Sequence, residues 1–232
     1  IIAGIAMLGI FGIFVLHLKS DPIVVGIAMN LSSWGLTSLL LLNIFHIRGS
    51  IMDPRIKSFS TINIPFLNRI PVINDIFNNQ NILVYMTIIV VILSHIVMYK
   101  TPFGLRIRGV GINGDAMEAA GVSVIKYKWA SLIITGVLVG AGGAFLPLSG
   151  ISMFTENMSA GKGFLAVTAA RIGNGDPLKA FFACFIFAFA DALSVGLQNF
   201  NIPSQLVLMT PYVITIVVMC LTNLGELRKE SV

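Results

Sequence analysis

Three glycines near the middle of the chain have the spacing of a phosphate-binding loop. Gly109, Gly111 and Gly114 match the G-x-G-x-x-G pattern, in which glycine lets the backbone approach a dinucleotide pyrophosphate. That chemistry requires a β-strand before the glycines, but an apolar stretch of helical length, residues 82–99, precedes them. No parallel sheet can be built from this chain. We therefore expect no nucleotide site here, and we expect the glycines to permit sharp turns around a short helix.

An ionisable side chain inside an apolar run is the second candidate for chemistry. Asp191 lies in such a run, where a charge at the centre of a membrane helix costs about 2.5–3.5 kcal/mol. Ionisable residues at such positions are paired or functional. Two interpretations of Asp191 stay open: a structural pair with Lys179 or Arg171, and a place in a translocation path.

A patch of small polar residues interrupts a second apolar run, residues 23–45. The patch consists of Asn30, Ser32, Ser33 and Thr37, and Asn30, Ser33 and Thr37 are its candidate path residues. The alternative is that small polar side chains pack helices against each other within the membrane. Both interpretations remain open.

Other kinds of site are not predicted. No metal-ligand spacing links His17, His46 and His95, and both cysteines lie in apolar runs. We see no pairing of nucleophile and base, so an enzyme acting within the membrane is the weakest hypothesis. The basic residues flank apolar runs without interleaved aromatics, which indicates membrane topology rather than nucleic-acid binding.

Composition indicates what must position these residues. The 232-residue chain is 56% hydrophobic and 11% charged, whereas soluble domains are usually about 25% charged. We predict an all-α fold, a polytopic transmembrane helical bundle in one domain, residues 1–232. Because the chain opens inside an apolar run without an initiator Met, we expect helices to be missing ahead of it.

Six apolar runs have lengths near the roughly 20 residues that a bilayer core requires. They are residues 1–16, 23–45, 82–99, 129–148, 178–198 and 205–221. Residues 163–173 are apolar but too short for an ordinary span. We expect either a half-helix broken at residues 173–177 or a re-entrant segment, lined by protein or a water-filled cavity.

Charge predicts the orientation if residues 163–173 cross the membrane and residues 100–128 are cytoplasmic. The inner side then holds most of the basic residues, namely Lys19, Lys100, Arg106, Arg108, Lys126, Lys128, Arg171, Lys179, Arg228 and Lys229. Fewer lie outside, namely Arg48, Arg55, Lys57, Arg69 and Lys162. This distribution follows the positive-inside rule and puts the C-terminus in the cytoplasm. Residues 46–80 should form an irregular external cap.

Residues 100–128 form a polar, basic island between two apolar helices. Asp115 and Glu118 have the spacing of a capping box, which predicts a short helix with Asp115 as its N-cap. Ala119 and Ala120 favour that helix, and Gly121 should end it. The segment is either a solvated connecting turn or a helix that contacts a cytoplasmic subunit.

Several motifs, taken in order, resemble one family of transport proteins. The chain contains RGVGIN at 108–113, EAAGV at 118–122, AGGA at 141–144, GKGFLA at 161–166, GNGDPL at 173–178, FADAL at 189–193 and LMTPY at 208–212. This order resembles ABC-transporter permeases of the branched-chain amino acid, ribose and nucleoside group. It is most similar to the second permease of simple-sugar and nucleoside importers. Residues 25–31, VGIAMNL, resemble an earlier helix of the same group.

The resemblance implies a permease subunit of an ATP-driven importer in a bacterial inner membrane. It implies three partners: an ABC ATPase, a second and larger permease, and an extracytoplasmic substrate-binding lipoprotein. Coupling to the ATPase would involve Arg108, Asn113, Asp115, Glu118, Ala119, Ala120 and Gly121. This chain would bind no cofactor, since ATP and Mg²⁺ would lie in the ATPase. Nucleosides or simple sugars are the expected substrates, with branched-chain amino acids and ribose open, and an ion-gradient-driven secondary transporter is the alternative.

Overall fold

A computed structural model describes residues 1–52, 61–62, 80–148 and 153–197. Within these ranges the chain is mainly helical. The helices are α1 (Ile2–Gly12, continued by a π-helical turn, Ile13–His17), α2 (Pro22–Phe45), α3 (Ile82–Lys100), α4 (Pro102–Ile112), α5 (Gly114–Ala119), α6 (Val124–Leu148), α7 (Lys162–Ile172) and α8 (Pro177–Leu197). The short strands are β1 (Ser50–Met52), β2 (Thr61–Ile62), β3 (Gln80–Asn81) and β4 (Met153–Thr155).

Four of the described helices are long and apolar enough to cross a bilayer. They are Pro22–Phe45, Ile82–Lys100, Val124–Leu148 and Pro177–Ser194. Most of their large apolar side chains are exposed on the chain's own surface, as expected where lipid or another membrane subunit covers them. The prediction of an all-α polytopic bundle is confirmed. The predicted span at 205–221 lies outside the described residues.

The boundaries depart from the predicted spans at one informative place. Helix α6 begins at Val124, five residues before the apolar run that predicted it. Lys126 and Lys128 therefore belong to the first turns of a long helix rather than to a polar loop. Apolar content marks the part of a helix that lipid can cover, whereas the hydrogen-bonded helix extends beyond it.

The loop after α2 contains regular pairing that the sequence pattern did not predict. Strand β1 pairs antiparallel with β4, with Ile51 opposite Phe154, and β2 pairs with β3. The Gly49 N–H donates to the Glu156 carboxylate (3.1 Å), and the Glu156 N–H donates to the Gly49 carbonyl (2.8 Å). These contacts hold the end of α2 and the end of α6 on the same side of the bundle.

Contacts divide the chain into two compact units. Among the described residues, the first comprises those within 1–89 and 96–160, and the second comprises residues 90–95 and 161–197. In the first unit, α1 lies directly against α6, and a Cβ added at Gly4 would stand 2.6 Å from the Gly136 carbonyl oxygen. Small residues allow such close helix packing in membranes.

The second unit is built on a helical hairpin. Helices α7 and α8 pack together through Ala169, Ala183 and Phe187, with Ile172 at the edge of that cluster. The hairpin turn is tight, because a Cβ at Gly173 would stand 2.7 Å from the Ala180 amide nitrogen. The turn accordingly uses residues that adopt a positive φ, Asn174 (48°) and Gly175 (75°).

Candidate partner-docking segment and translocation path

The chain leaves α3 through a sharp corner that starts α4. The Thr101 hydroxyl donates to the Val97 carbonyl (2.6 Å) and accepts from the Gly104 N–H (3.3 Å). Pro102 follows as the first residue of α4, where its missing N–H costs nothing. Gly104 faces the backbone of Val97 and Met98 with no room for a side chain. The corner therefore fixes the direction in which α4 leaves α3.

The glycine motif forms part of a helix, so the expectation of sharp turns at Gly109 and Gly111 was wrong. Both residues lie inside α4. The space that Gly109 leaves is filled by Met117 from α5, whose Sδ would stand 2.7 Å from an added Cβ. The glycine therefore serves the packing of α5 against α4. A helix through the motif, rather than a loop of free amides, also removes the cradle that a pyrophosphate needs.

The start of α5 differs from the prediction in a second respect. Helix α5 begins at Gly114, and its N-cap is Asn113 rather than Asp115. The Asn113 side-chain oxygen accepts from the Ala116 N–H (3.0 Å), and its backbone is extended (φ −150°, ψ 98°), as a cap requires. Asp115 lies in the first turn, where its charge faces the positive end of the helix. The two-residue shift arises because Asn113 also ends α4 and must reverse the chain.

The end of α5 agrees with the prediction. Gly121 has a left-handed φ of 80°. The Gly121 N–H donates to the Glu118 carbonyl (2.9 Å), and the Val122 N–H donates to the Met117 carbonyl (2.9 Å). This pair of bonds is the Schellman arrangement that satisfies the last carbonyls of a helix. Both ends of α5 are therefore closed by local hydrogen bonds.

Two arginines fasten α4 to the neighbouring long helices. The Arg108 guanidinium carbon lies 4.4 Å from the centre of the Tyr99 ring, a cation–π contact. The Arg106 Nη1 donates to the Tyr127 hydroxyl on α6 (2.9 Å). The α4–α5 segment, residues 102–121, is thus held to α3 at one side and to α6 at the other.

The exposed edge of the α4–α5 segment carries one side chain that sequence reasoning missed. Ile112 is 87% exposed at the junction of the two helices. Glu118, Ala119 and Ala120 are also exposed on α5. We take these exposed residues, together with Ile112, as the candidate docking surface for a partner. The signal in the sequence was a single isoleucine in a polar segment, with Gly111 before it and Asn113 and Gly114 after it.

The polar patch on α2 opens into a cavity. The Ser33 hydroxyl donates to the Met29 carbonyl and the Thr37 hydroxyl to the Ser33 carbonyl, each at 2.7 Å. Asn30, Ser33 and Thr37 line one wall of a cavity of about 200 Å³, and α6, β4 and the turn after β4 form the rest. The structure thus brings together the three predicted path residues of α2.

Asp191 has a different ionic partner from those predicted. Its Oδ2 lies 3.3 Å from Lys162 Nζ, with the two side chains 43% and 56% exposed. Because α7 and α8 run antiparallel, the first residue of α7 lies beside the late part of α8. Lys179 and Arg171 flank the turn at the opposite end of the hairpin, too far along the helices to reach Asp191. Lys162, assigned from the sequence to an outer loop, is therefore part of the hairpin.

The other acidic residue of the hairpin is a cap. The Asp176 carboxylate accepts from the Leu178 N–H (2.9 Å) at the start of α8, and the same oxygen lies 3.5 Å from His95 Nδ1. Within the described ranges, no group of three or more His, Cys, Asp or Glu side chains is placed to hold a metal ion.

Comparison with known proteins identifies the family. The profile of the "Branched-chain amino acid transport system / permease component" family matches residues 1–219. The chain belongs to this family. It is also 36% identical over 213 residues to the nucleoside ABC transporter permease protein NupC of Lactococcus lactis. That alignment covers 88% of this chain and 65% of NupC.

Two further relatives have similar names. The guanosine ABC transporter permease protein NupQ of Bacillus subtilis is 34% identical over 207 residues, which are 85% of this chain and 63% of NupQ. A second L. lactis protein, nucleoside ABC transporter permease protein NupB, is 30% identical over 128 residues, 55% of this chain and 35% of NupB. The chain thus spans less than two thirds of the length of these relatives. No solved structure matches it significantly.

Family membership agrees with the architecture. Four described helices could span a membrane, and the family consists of transport permeases, which are not enzymes by themselves. The chain is a multi-pass membrane protein of this family.

Proposed function

We propose that this protein is a membrane-spanning permease subunit of an ATP-driven ABC importer for nucleosides. The substrate class is supported by the two relatives of 36% and 34% identity, whose names specify nucleosides and guanosine. The observation that carries the ATP-driven mechanism is the α4–α5 segment, a small helical body with an apolar side chain projecting at its tip.

The α4–α5 segment has the properties that mechanical coupling requires. A helix of six residues is unstable alone, but α5 has a cap at each end and packs on Gly109 through Met117. Arg106 and Arg108 join α4 to the long helices α6 and α3. A push on Ile112 would therefore move both long helices rather than deform a loop.

The residues expected to take part in coupling have distinct roles in this proposal. Asn113 and Gly121 shape α5, and Arg108 anchors α4. Ile112, Glu118, Ala119 and Ala120 form the exposed surface that enters a groove of the ATPase, with Asp115 beside it. ATP and Mg²⁺ would bind in the ATPase and not in this chain.

The translocation path would contain the α2 cavity and the charged pair of the hairpin. Asn30, Ser33 and Thr37 supply polar groups within an apolar helix, and Asp191 supplies a charge. A half-exposed ion pair within a membrane span is unfavourable against lipid, which supports a position facing water or protein.

Further partners complete the proposal. A second, larger permease would pair with this one, which is supported by the similarity of this chain to two nucleoside permeases of one organism, NupC and NupB. An extracytoplasmic lipoprotein would deliver the substrate to the side where β1 and β4 pair. The assembly would lie in a bacterial inner membrane, with the C-terminus of this chain and the α4–α5 segment in the cytoplasm.

The test combines a pull-down of the full-length protein in mild detergent with nucleoside uptake by cells. We expect an ATPase and a second permease to co-purify, identified by mass spectrometry. Ile112→Asp should abolish ATPase recovery and uptake while membrane abundance and recovery of the second permease persist. Ile112→Leu, which keeps the apolar surface, is the matched control and should behave as the native protein. A chain recovered alone that transports under an ion gradient would indicate a secondary transporter instead.

A further inference from the structure

The cavity beside α2 is lined by polar and aromatic side chains together. Its α2 wall consists of four residues at positions i, i+3, i+4 and i+7, which share one helical face. They are Asn30, Ser33, Trp34 and Thr37. Three are small or medium polar residues, and the fourth is an aromatic residue that the sequence patch did not include.

Trp34 is the tryptophan that lines the cavity. Its side chain is 52% exposed, and across the cavity lie the apolar residues Leu146, Pro147 and Phe154. Planar heterocycles such as nucleobases stack on aromatic rings whatever substituents they carry, because each has a π-face. A sugar ring lacks a π-face and can lie against an aromatic ring only through its C–H groups.

The polar groups around Trp34 can be sorted by what they still offer. The hydroxyl hydrogens of Ser33 and Thr37 are used within α2, so both hydroxyls offer only acceptor sites to the cavity. Asn30 on α2 and Asn157 on the turn after β4 carry amides, each with donors and an acceptor. The turn presents Asn157 in a left-handed conformation (φ 55°). Such a mixed set matches the edge of a nucleobase, which alternates donors and acceptors.

We infer that this cavity is a site for the base of a nucleoside, with Trp34 as the stacking surface and Asn30 and Asn157 at the edge of the ring. This inference rests on the proposed function and names the part of the substrate that the permease itself recognises. The cavity volume of about 200 Å³ is below the roughly 300–1,000 Å³ of pockets that enclose drug-sized ligands. It therefore suits one ring system, with the sugar left in the open path.

The test is photolabelling of the assembled full-length transporter with 8-azidoadenosine, followed by peptide mapping. We expect label on the peptide that contains Trp34, competed by unlabelled nucleoside but not by ribose. Trp34→Ala should reduce this label by about fivefold or more, as loss of base stacking implies. Trp34→Phe should retain most of it. Trp34→Leu, which keeps bulk but not the ring, should lose it and guards against a folding defect in the alanine variant.

Trp129→Phe is the matched control, because Trp129 contacts Gly12 and His17 rather than the cavity and its replacement should leave the label unchanged. Nucleoside uptake by native cells is measured in parallel. If uptake is intact but the label is elsewhere, or ribose competes equally, the base site is wrong and the proposed function stands. If nucleosides are not transported at all, the proposed function fails and the base site with it.

Discussion

The α4–α5 segment and the α7–α8 hairpin each join a short helix to a longer one, but the short helix is stabilised differently in the two regions. In the α4–α5 segment, local hydrogen bonds close both ends of α5, through Asn113 and Gly121. In the hairpin, a cluster of apolar residues packs α7 on α8, and a charged residue of each helix neutralises the other.

The difference follows from the surroundings that each region is expected to have. A six-residue helix is marginal in water, so its caps and its packing on α4 together decide whether it forms. Within a membrane the backbone bonds are already strong, and the costly groups are the charges. The α4–α5 segment should therefore be sensitive to its caps, and the hairpin to its charge balance.

Among changes to the caps of α5 and to the ion pair of the hairpin, loss of the Asp191 charge should have the largest effect. Asp191→Asn leaves the Lys162 ammonium without its carboxylate 3.3 Å away. Removing one member of such a pair strands the other charge, which costs more than removing both. We expect membrane abundance to fall several-fold and uptake by about tenfold or more, measured by immunoblot and nucleoside uptake.

The double variant Lys162→Met with Asp191→Leu separates structure from transport. Replacing both charges by apolar residues should restore abundance. If uptake returns as well, the pair only supports the hairpin. If abundance returns and uptake does not, the charges act in the path. Normal abundance and uptake of the single variant would show that the pair is incidental.

A smaller effect should come from the cap of α5 that needs a left-handed backbone. Gly121 has φ 80° and open space around an added Cβ, so Gly121→Ala changes only the backbone preference. The expected cost is about 1–2 kcal/mol. Uptake should fall a few-fold as α5 frays, with membrane abundance nearly unchanged.

Gly111→Ala is the control for that variant. Gly111 also has open space but lies inside α4 with an ordinary helical backbone. Alanine there should stabilise the helix by about 0.5–1 kcal/mol. If the two alanine variants transport equally well, the left-handed turn is not what shapes the docking surface.

The sequence predicted the parts of the fold that depend on composition. Long apolar runs predicted α2, α3, α6 and α8 within a few residues. A membrane span needs a run of apolar residues however the helices are packed against each other. The short break at residues 173–177 and the stop at Gly121 were also predictable, since glycine and proline act locally. The pairing of β1 with β4 depends on segments about 100 residues apart, which no local pattern records.

The candidate sites were less predictable because they depend on which helices meet. Asn30, Ser33 and Thr37 were found as polar residues in an apolar run, but Trp34 belongs to the same face only once the cavity is seen. Lys162 was assigned to the outer side because it precedes the short apolar run at residues 163–173, whereas in the antiparallel hairpin it lies 3.3 Å from Asp191. Ile112 was overlooked because exposure cannot be deduced from residue type alone.

The smallest effect concerns the N-cap, where sequence and structure disagree most sharply. Asn113→Ala removes the acceptor of the Ala116 N–H and should cost about 1 kcal/mol. Asp115→Ala should cost about 0.3–1 kcal/mol, because Asp115 only complements the helix dipole. Asn113→Asp, which retains a good capping oxygen, should be nearly neutral. Thermal unfolding of the purified protein compares the stability of the three variants. A greater loss of stability in Asp115→Ala than in Asn113→Ala would show that Asp115 is the N-cap. Because α4 ends and α5 begins at Asn113, its loss should also reduce uptake more than its small effect on stability implies.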